Sequence, residues 1–286
     1  MGWSGNVIKN DIVEIANYQG HERAKSQCRN GRVSLVGAGP GAADLLTIKA
    51  LRCIEQADII LFDRQVSDEV CALFPANTPA LYVGKIKNLH SIPQDKLNEL
   101  LVIKAQQGLN VCRLKGGDAF VFGRGGEEML TLKKAGIDVE VIPGITAASG
   151  ATTYSGIPLT HRGVSQGCTF ITGHAEKDLN INWQSLAGLK HTLVFYMGLS
   201  PSADISNNLM AADMDENTPV AIIENGSCQN QRLVRGKLMD LADLVARESV
   251  VSPALIVVGE VVNLADQLQW FESELSKKEQ QLRAWY

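Results

Sequence analysis

The sequence has little of what announces the commoner kinds of site. Its six cysteines, Cys28, Cys53, Cys71, Cys112, Cys168 and Cys228, never fall at the CxxC spacing. Neither a thiolate zinc set nor a close-set disulfide framework is expected, and ordinary thiols in a reducing compartment are. The five histidines show no HxxxH pair and no cluster with cysteine, so no metal is assigned. No run approaches the roughly 18 apolar residues that a membrane helix needs, and Met1–Arg32 lacks the apolar centre of a secretion signal. A soluble, cytoplasmic protein with no membrane partner is expected. An excess of positive charge is missing as well: 27 Lys and Arg stand against 31 Asp and Glu, a net charge of -4. A diffuse acidic surface repels nucleic acid, so no nucleic-acid partner is expected, although a local basic pocket remains compatible with this total.

What is present is a chain of 286 residues, 45% hydrophobic, enough for a sizeable core in one large domain or two modest ones. Short β-branched runs, bounded by Gly, Pro or Asp, recur from Val33 onward: 33–37, 57–63, 80–84, 110–114, 138–142, 168–172, 191–197, 219–223 and 254–259. They have strand length and strand composition. Helical patterns lie between them over Asp44–Gln56, Pro93–Gln107, Glu127–Ala135 and Leu238–Ala246, the first with Leu45, Ile48, Leu51 and Ile54 on one stripe. Alternation of this kind predicts an α/β protein with mainly parallel sheet. Two sheets of four or five strands fit the length better than one of nine, with the small-residue stretch 143–156 as the crossing. The expected organisation is an N-terminal extension over 1–31, carrying a short helix near Asp11–Tyr18, then an α/β domain over 32–146. A second α/β domain follows over 147–271, and then a charged tail over 272–286.

Three glycine-rich segments follow strands, where open α/β sheets bind ligands. The first, GAGPGA at 37–42, satisfies the dinucleotide fingerprint GxGxxG/A, and Asp63 stands where a ribose-binding acid would be sought. On this motif alone a nicotinamide or flavin enzyme, a methyltransferase and a merely structural turn are equally admissible. Pro40 weighs against a phosphate cradle, because it stiffens the loop and removes an N–H. The second, KGGDAFVFGRGGEE at 115–128, holds five glycines in the eleven residues 116–126, so a ligand can approach the backbone. Asp118 offers a carboxylate to a cationic ligand or to hydroxyl groups. Glu127 and Glu128 are also explained as acids favouring a helix N-terminus. The third, PGITAASG at 143–150, suits either a flat ligand or a close-packed helix start.

Taken in order, GAGPGAADLLT, LFDRQVS, LKGGDAFVFGRGGEE, VIPGITAASGATTYSGIPLTHR, TLVFYMG and IIENG resemble the uroporphyrinogen-III C-methyltransferase family from about Arg32 to Phe271. The resemblance implies two α/β domains of the tetrapyrrole methylase type with the active site in the cleft between them, and a homodimer. It implies S-adenosyl-L-methionine as methyl donor and S-adenosyl-L-homocysteine as product. The implied reaction is two successive methylations of uroporphyrinogen III to precorrin-2, serving sirohaem, cobalamin or haem d1 synthesis. With about 31 residues before the matched region, the dehydrogenase-ferrochelatase module that some members carry is not expected.

Carried over by motif, Pro40, Gly116, Gly117, Asp118, Val121, Thr146, Ala147, Met197 and Gly226 would contact the methyl donor. Asp63 and Lys85 match the positions of proton acceptor and donor, with Glu127 as an alternative base. The family commonly has Pro where this chain has Ala119, which would loosen that loop slightly. The substrate carries a carboxylate on every arm, and arginine presents a planar fork to carboxylates. Arg64, Arg124 and Arg162 are therefore expected to hold it, with His161 assisting. The plainer roles for these side chains are a solvated Lys85, an internal ion pair of Arg124 with Asp118 or Glu127, and a structural His161. For the chain as a whole, three different functions compete with this one: a methylase acting on a later precorrin, a dinucleotide-dependent oxidoreductase, and a ligand-binding protein that has lost catalysis.

Overall fold

The computed structural model describes residues 7–8, 31–84, 92–174 and 181–273. The chain divides after Thr146 into two compact units, Met1–Thr146 and Ala147–Tyr286, each built on its own sheet. The helix expected near Asp11–Tyr18 and the tail beyond residue 273 lie outside the described residues. Among the described residues no helix is long and apolar enough to cross a membrane.

The strands of the first unit are β1 (Val7–Ile8), β2 (Arg32–Gly37), β3 (Ile59–Phe62), β4 (Ala80–Tyr82), β5 (Val111–Lys115) and β6 (Asp138–Ile142). They lie in the order β1-β4-β3-β5-β2-β6, and every neighbouring pair is parallel. Val7 and Ile8 pair with Ala80 and Leu81, so the expected N-terminal extension contributes an edge strand at one point. Strands β3 and β5 are buried along their whole length, as strands covered on both faces must be.

One face carries α3 (Gln94–Gln106) and α4 (Gly125–Lys134), whose Leu97, Leu101 and Leu132 pack with Leu35, Leu61 and Leu81. The other carries α1 (Ile48–Glu55) and α2 (Asp68–Cys71), with Ala50, Ile54 and Val70 against Val36, Ile60 and Leu114.

Helix α1 starts four residues later than its apolar stripe suggested. A 3-10 turn over Ala43–Leu45 comes first, Leu46 is extended, and Thr47 caps the helix by accepting the Ala50 N–H at 3.1 Å. The threonine hydroxyl fixes the start by taking up an N–H left without an intrahelical partner.

The second unit holds β7 (Cys168–Thr172), β8 (Thr192–Tyr196), β9 (Pro219–Glu224), β10 (Arg232–Lys237) and β11 (Ala254–Val258) in the order β10-β9-β11-β8-β7. Among its described strands only β7 and β8 pair in parallel, so the expectation of mainly parallel sheet holds for the described strands of the first unit and not for these. The 225–231 connection between β9 and β10 is too short for a crossover helix, and antiparallel pairing is what such a link permits. Strand β10 escaped the sequence reading because RLVRGK carries three basic residues and a glycine. As an edge strand it can carry them, and charge there blocks pairing with other chains.

Among the described residues this unit also holds helices α5 (Ala147–Tyr154), α6 (Trp183–Gly188), α7 (Ser202–Ala211), α8 (Leu241–Arg247) and α9 (Ala265–Leu268). Ile205, Leu209, Leu241 and Leu244 of α7 and α8 pack on one face of the sheet, and Ala148, Ala151 and Ala265 of α5 and α9 on the other.

Candidate active site

In the first unit the glycine-rich loops after β2, β5 and β6 meet, because β2 lies between β5 and β6 and all three point the same way. Gly39 and Gly117 exchange both backbone hydrogen bonds, at 3.1 and 2.7 Å. A side chain on Gly37 would lie 2.5 Å from the Gly144 nitrogen and 2.7 Å from the Gly117 oxygen, and one on Gly144 would overlap the Gly117 carbonyl. The glycines are therefore first a packing requirement of backbone against backbone. Asp118 fastens the junction: one carboxylate oxygen accepts the Gly144 N–H at 3.0 Å and the other accepts the Phe120 N–H at 2.8 Å. Its charge thus sits at the meeting point of the β5 and β6 loops, held by both.

Pro40 is half-buried at the tip of the β2 loop, between Gly39 (φ 75°) and Gly41 (φ 159°). In a dinucleotide fold the helix N-terminus opens at this loop and receives the pyrophosphate. Here α1 begins only at Ile48, beyond the 3-10 turn. A loop with no helix dipole behind it, one N–H fewer and the Asp118 carboxylate on the neighbouring loop suits a neutral or cationic group.

Asp63 directly follows β3, whose last residue, Phe62, pairs with Leu114. Its Oδ1 accepts the Gln65 N–H at 3.1 Å and its Oδ2 accepts from Arg113 Nη2 at 3.1 Å. Arg113 leads inward to a buried group of charges that the sequence reading missed. Arg113 Nε donates to Glu128 Oε1 at 3.3 Å, Lys115 Nζ donates to the same oxygen at 2.9 Å, and Gln94 Nε2 does so at 3.2 Å. Burial, with Arg113 alongside, pushes the Lys115 amine below the usual lysine range, while Glu128 opposes that shift. The signal was available. Two basic residues in a strand covered on both faces require an acid within reach, since a buried charge is tolerated only when paired.

Arg124 takes the internal ion pair. Its Nε and Nη2 donate to the two oxygens of Glu127 at 2.8 and 2.6 Å, and both side chains are exposed. Arg124 also adopts φ 57° just before α4. The Arg124 hydrogen bond holds the Glu127 carboxyl below its ordinary range, which makes Glu127 a weaker proton acceptor. Arg64 is exposed and Val121 half-buried. Ala119 is buried, and its carbonyl accepts the Gly125 N–H at 3.0 Å, so this loop is tied down without a proline. Lys85 lies outside the described residues.

In the second unit, Ala147, Met197 and Gly226 come from stretches gathered at one end of the sheet. Met197 follows β8 with φ 53°, and its side chain is exposed. The hydroxyl of Tyr196, the last residue of β8, accepts the Ala148 N–H at the start of α5 at 3.0 Å. Gly226 follows β9 and packs so closely on Ala151 of α5 that a side chain there would overlap the alanine methyl. Tyr196 and Ile223 both pair with Leu255, so the ends of β8 and β9 are one strand apart. Thr146 is the last residue of the first unit. His161 and Arg162 are exposed, and the His161 ring contacts the Arg162 carbonyl at 3.0 Å.

Residues 32–242 match the family of tetrapyrrole (corrin/porphyrin) methylases. The chain is 53% identical over 243 residues to siroheme synthase 2 of Yersinia enterocolitica, covering 85% of this chain and 51% of that one. It thus spans about half the length of the curated relatives it matches. Uroporphyrin-III C-methyltransferase of Thermus thermophilus, solved in complex with S-adenosyl homocysteine, superposes with a TM-score of 0.71 at 39% identity. That match covers 82% of this chain and all of the other. A cobalt-precorrin-4 methyltransferase shares the fold, with a TM-score of 0.72 at 24% identity over 81% of this chain and 95% of its own.

Proposed function

Because the chain belongs to the tetrapyrrole methylase family, we propose that it is the S-adenosyl-L-methionine-dependent methyltransferase that converts uroporphyrinogen III to precorrin-2 in two successive steps. The observation that carries the reading is the junction of the β2, β5 and β6 loops. It sets a fixed carboxylate, Asp118, beside a loop that lacks the helix N-terminus a phosphate would want. Pro40, Gly116, Gly117, Asp118, Val121, Thr146, Ala147, Met197 and Gly226 are proposed to hold the donor. When bound, the donor supplies a methyl group on a positively charged sulfur, which an electron-rich pyrrole carbon can attack.

The chain's own tasks are to align the reactants, exclude water and manage one proton. Asp63 is the proposed proton acceptor and Lys85 the proposed donor. Glu127 is the alternative acceptor, and the Arg124 hydrogen bond holds its carboxyl below the ordinary range. Arg64, Arg124 and Arg162 are proposed to receive the carboxylate arms, and Arg124 would exchange Glu127 for one of them. The catalytic region is proposed to run over 32–271, as two domains meeting at 146–147, in a cytoplasmic homodimer.

The test mixes the protein with S-adenosyl-L-methionine and enzymatically generated uroporphyrinogen III, and follows methylated product by absorbance and mass. Two added methyl groups per macrocycle, with matching S-adenosyl-L-homocysteine, are expected. Absence of product together with tight binding of a nicotinamide dinucleotide would overturn the proposal.

A further inference from the structure

We infer that Arg113 is the positioning residue of the proton acceptor: it fixes the Asp63 carboxylate at the rim of the sheet and is itself aimed by the buried Glu128. The inference rests on the proposed role of Asp63. The geometry behind it is specific. The Arg113 side chain is 4% exposed, and its guanidinium is held on three sides. Nε donates to Glu128 Oε1 at 3.3 Å, Nη1 to the Leu114 carbonyl at 2.9 Å, and Nη2 to Asp63 Oδ2 at 3.1 Å. A planar fork held at three points has no rotamer freedom left to lose, which a lysine in its place would not achieve.

Asp63 is the one member of the group that reaches the surface. Its side chain is 24% exposed, against 0% for Glu128. Rotation of Asp63 away from Arg113 would break the Oδ2 contact and disturb the one from Oδ1 to the Gln65 N–H. Glu128 stands behind Arg113 as a counter-charge and is shared with Lys115 at 2.9 Å. The group therefore carries two acids and two bases, and the outermost acid is pinned from beneath.

This matters at one step. After a pyrrole carbon has taken the methyl group, a neighbouring methylene C–H bond breaks. Its electron pair returns to the positively charged ring and its proton passes to a carboxylate oxygen of Asp63. Displacement of an acceptor by about 1 Å can cost on the order of 100-fold in rate. A loosened Asp63 should slow proton loss and leave donor binding as it was.

Three variants test this: Asp63→Asn, Arg113→Met and Arg113→Lys, each given uroporphyrinogen III with ordinary or deuterated methylene bridges. For Arg113→Met, kcat should fall by on the order of 100-fold, with the KM values for donor and macrocycle within about twofold of the parent. A primary deuterium effect on kcat should emerge or grow. Arg113→Lys, which keeps the charge and loses the fork, should recover part of the rate. If Asp63→Asn turns over like the parent, the assignment of Asp63 fails and the inference with it. If Asp63→Asn is slow but Arg113→Met keeps the parent's rate and isotope effect, the inference alone is overturned. It is overturned equally if Arg113→Met loses kcat and raises both KM values with no change in isotope effect, since a general loosening does that. Should Arg113→Met not fold, Arg113→Lys decides, and a parental isotope effect with slowed turnover refutes the inference.

Discussion

Replacing Glu128 by glutamine removes one negative charge from between two buried cations and changes the shape of the side chain little. In the parent, one oxygen of Glu128 accepts from Arg113, Lys115 and Gln94 at 3.3, 2.9 and 3.2 Å, while the other accepts no hydrogen bond from the described residues. Removing one partner of a buried ion pair costs about 3–5 kcal/mol. Glutamine keeps an acceptor oxygen, so a loss near the lower end, about 3 kcal/mol, is expected at neutral pH.

The pH dependence makes the test specific. Lys115 already lies below the usual lysine range because of burial and then Arg113, with Glu128 opposing. Without Glu128 it falls further. For a lysine whose pKa is lower in the folded state, the unfolded chain binds the proton more tightly between the two pKa values. Stability therefore rises with pH across that interval, and the full cost is felt below it. In the variant the interval opens at lower pH than in the parent. The stability gap between the two proteins should thus narrow as pH climbs, by up to about 1.4 kcal/mol per pH unit. Urea unfolding of both proteins from about pH 6 to about pH 10 measures this directly. A gap that stays constant or widens over that range would refute the assignment of Lys115 as the group left with an uncompensated charge.

Further outcomes follow from the same geometry. Gly144→Ala forces a methyl group onto the Gly117 carbonyl. It should cost about 1–3 kcal/mol in denaturant unfolding and weaken donor binding, and parental values of both would show that the loop junction is not required. Asp118→Ala should abolish retention of S-adenosyl-L-methionine in a binding titration. It also deprives Gly144 and Phe120 of their acceptor, so Asp118→Asn, which can keep one of those bonds, should be more stable yet still bind poorly. Full retention by both variants would refute the placement. Arg162→Glu should raise the KM for the macrocycle far more than that for the donor, and an equal rise in both would exclude Arg162 as a substrate contact.

The first unit was the more legible in the sequence because its strands are buried on both faces and so read as unbroken runs such as IILF. The turn chemistry before α1 was not. Leu45 lies on the helical stripe but stands in a 3-10 turn, because the hydroxyl of Thr47 offers a better helix start. The basic composition of β10 concealed a strand, since burial patterns fade at a sheet edge. The site divides in the same way. Its glycine loops announce themselves by local composition. The link from Asp63 through Arg113 to Glu128 joins residues 50 and 15 positions apart, and only the register of β3 against β5 and the packing of α4 bring them together. Arg124 and Glu127 sit three apart at a helix start, so their pairing was foreseeable from spacing and is what the fold adopts.

Strand β2 lies next to the edge strand β6 and is flanked on both sides, which bears on how the protein is made. Ser34 of β2 is hydrogen-bonded to Glu140 of β6, 106 residues later, and β5 flanks it on the other side. During synthesis this apolar strand is among the first described segments to emerge, and it must wait for both neighbours before it is covered. Pairing between distant segments is slow and leaves strand edges exposed in the meantime. The β9–β10 hairpin of the second unit needs no such wait, because its partners are joined by a short turn. The half of the chain synthesised first thus holds the longest-range pairing, β2 with β6, and until β6 appears that edge of β2 stays uncovered in the nascent chain.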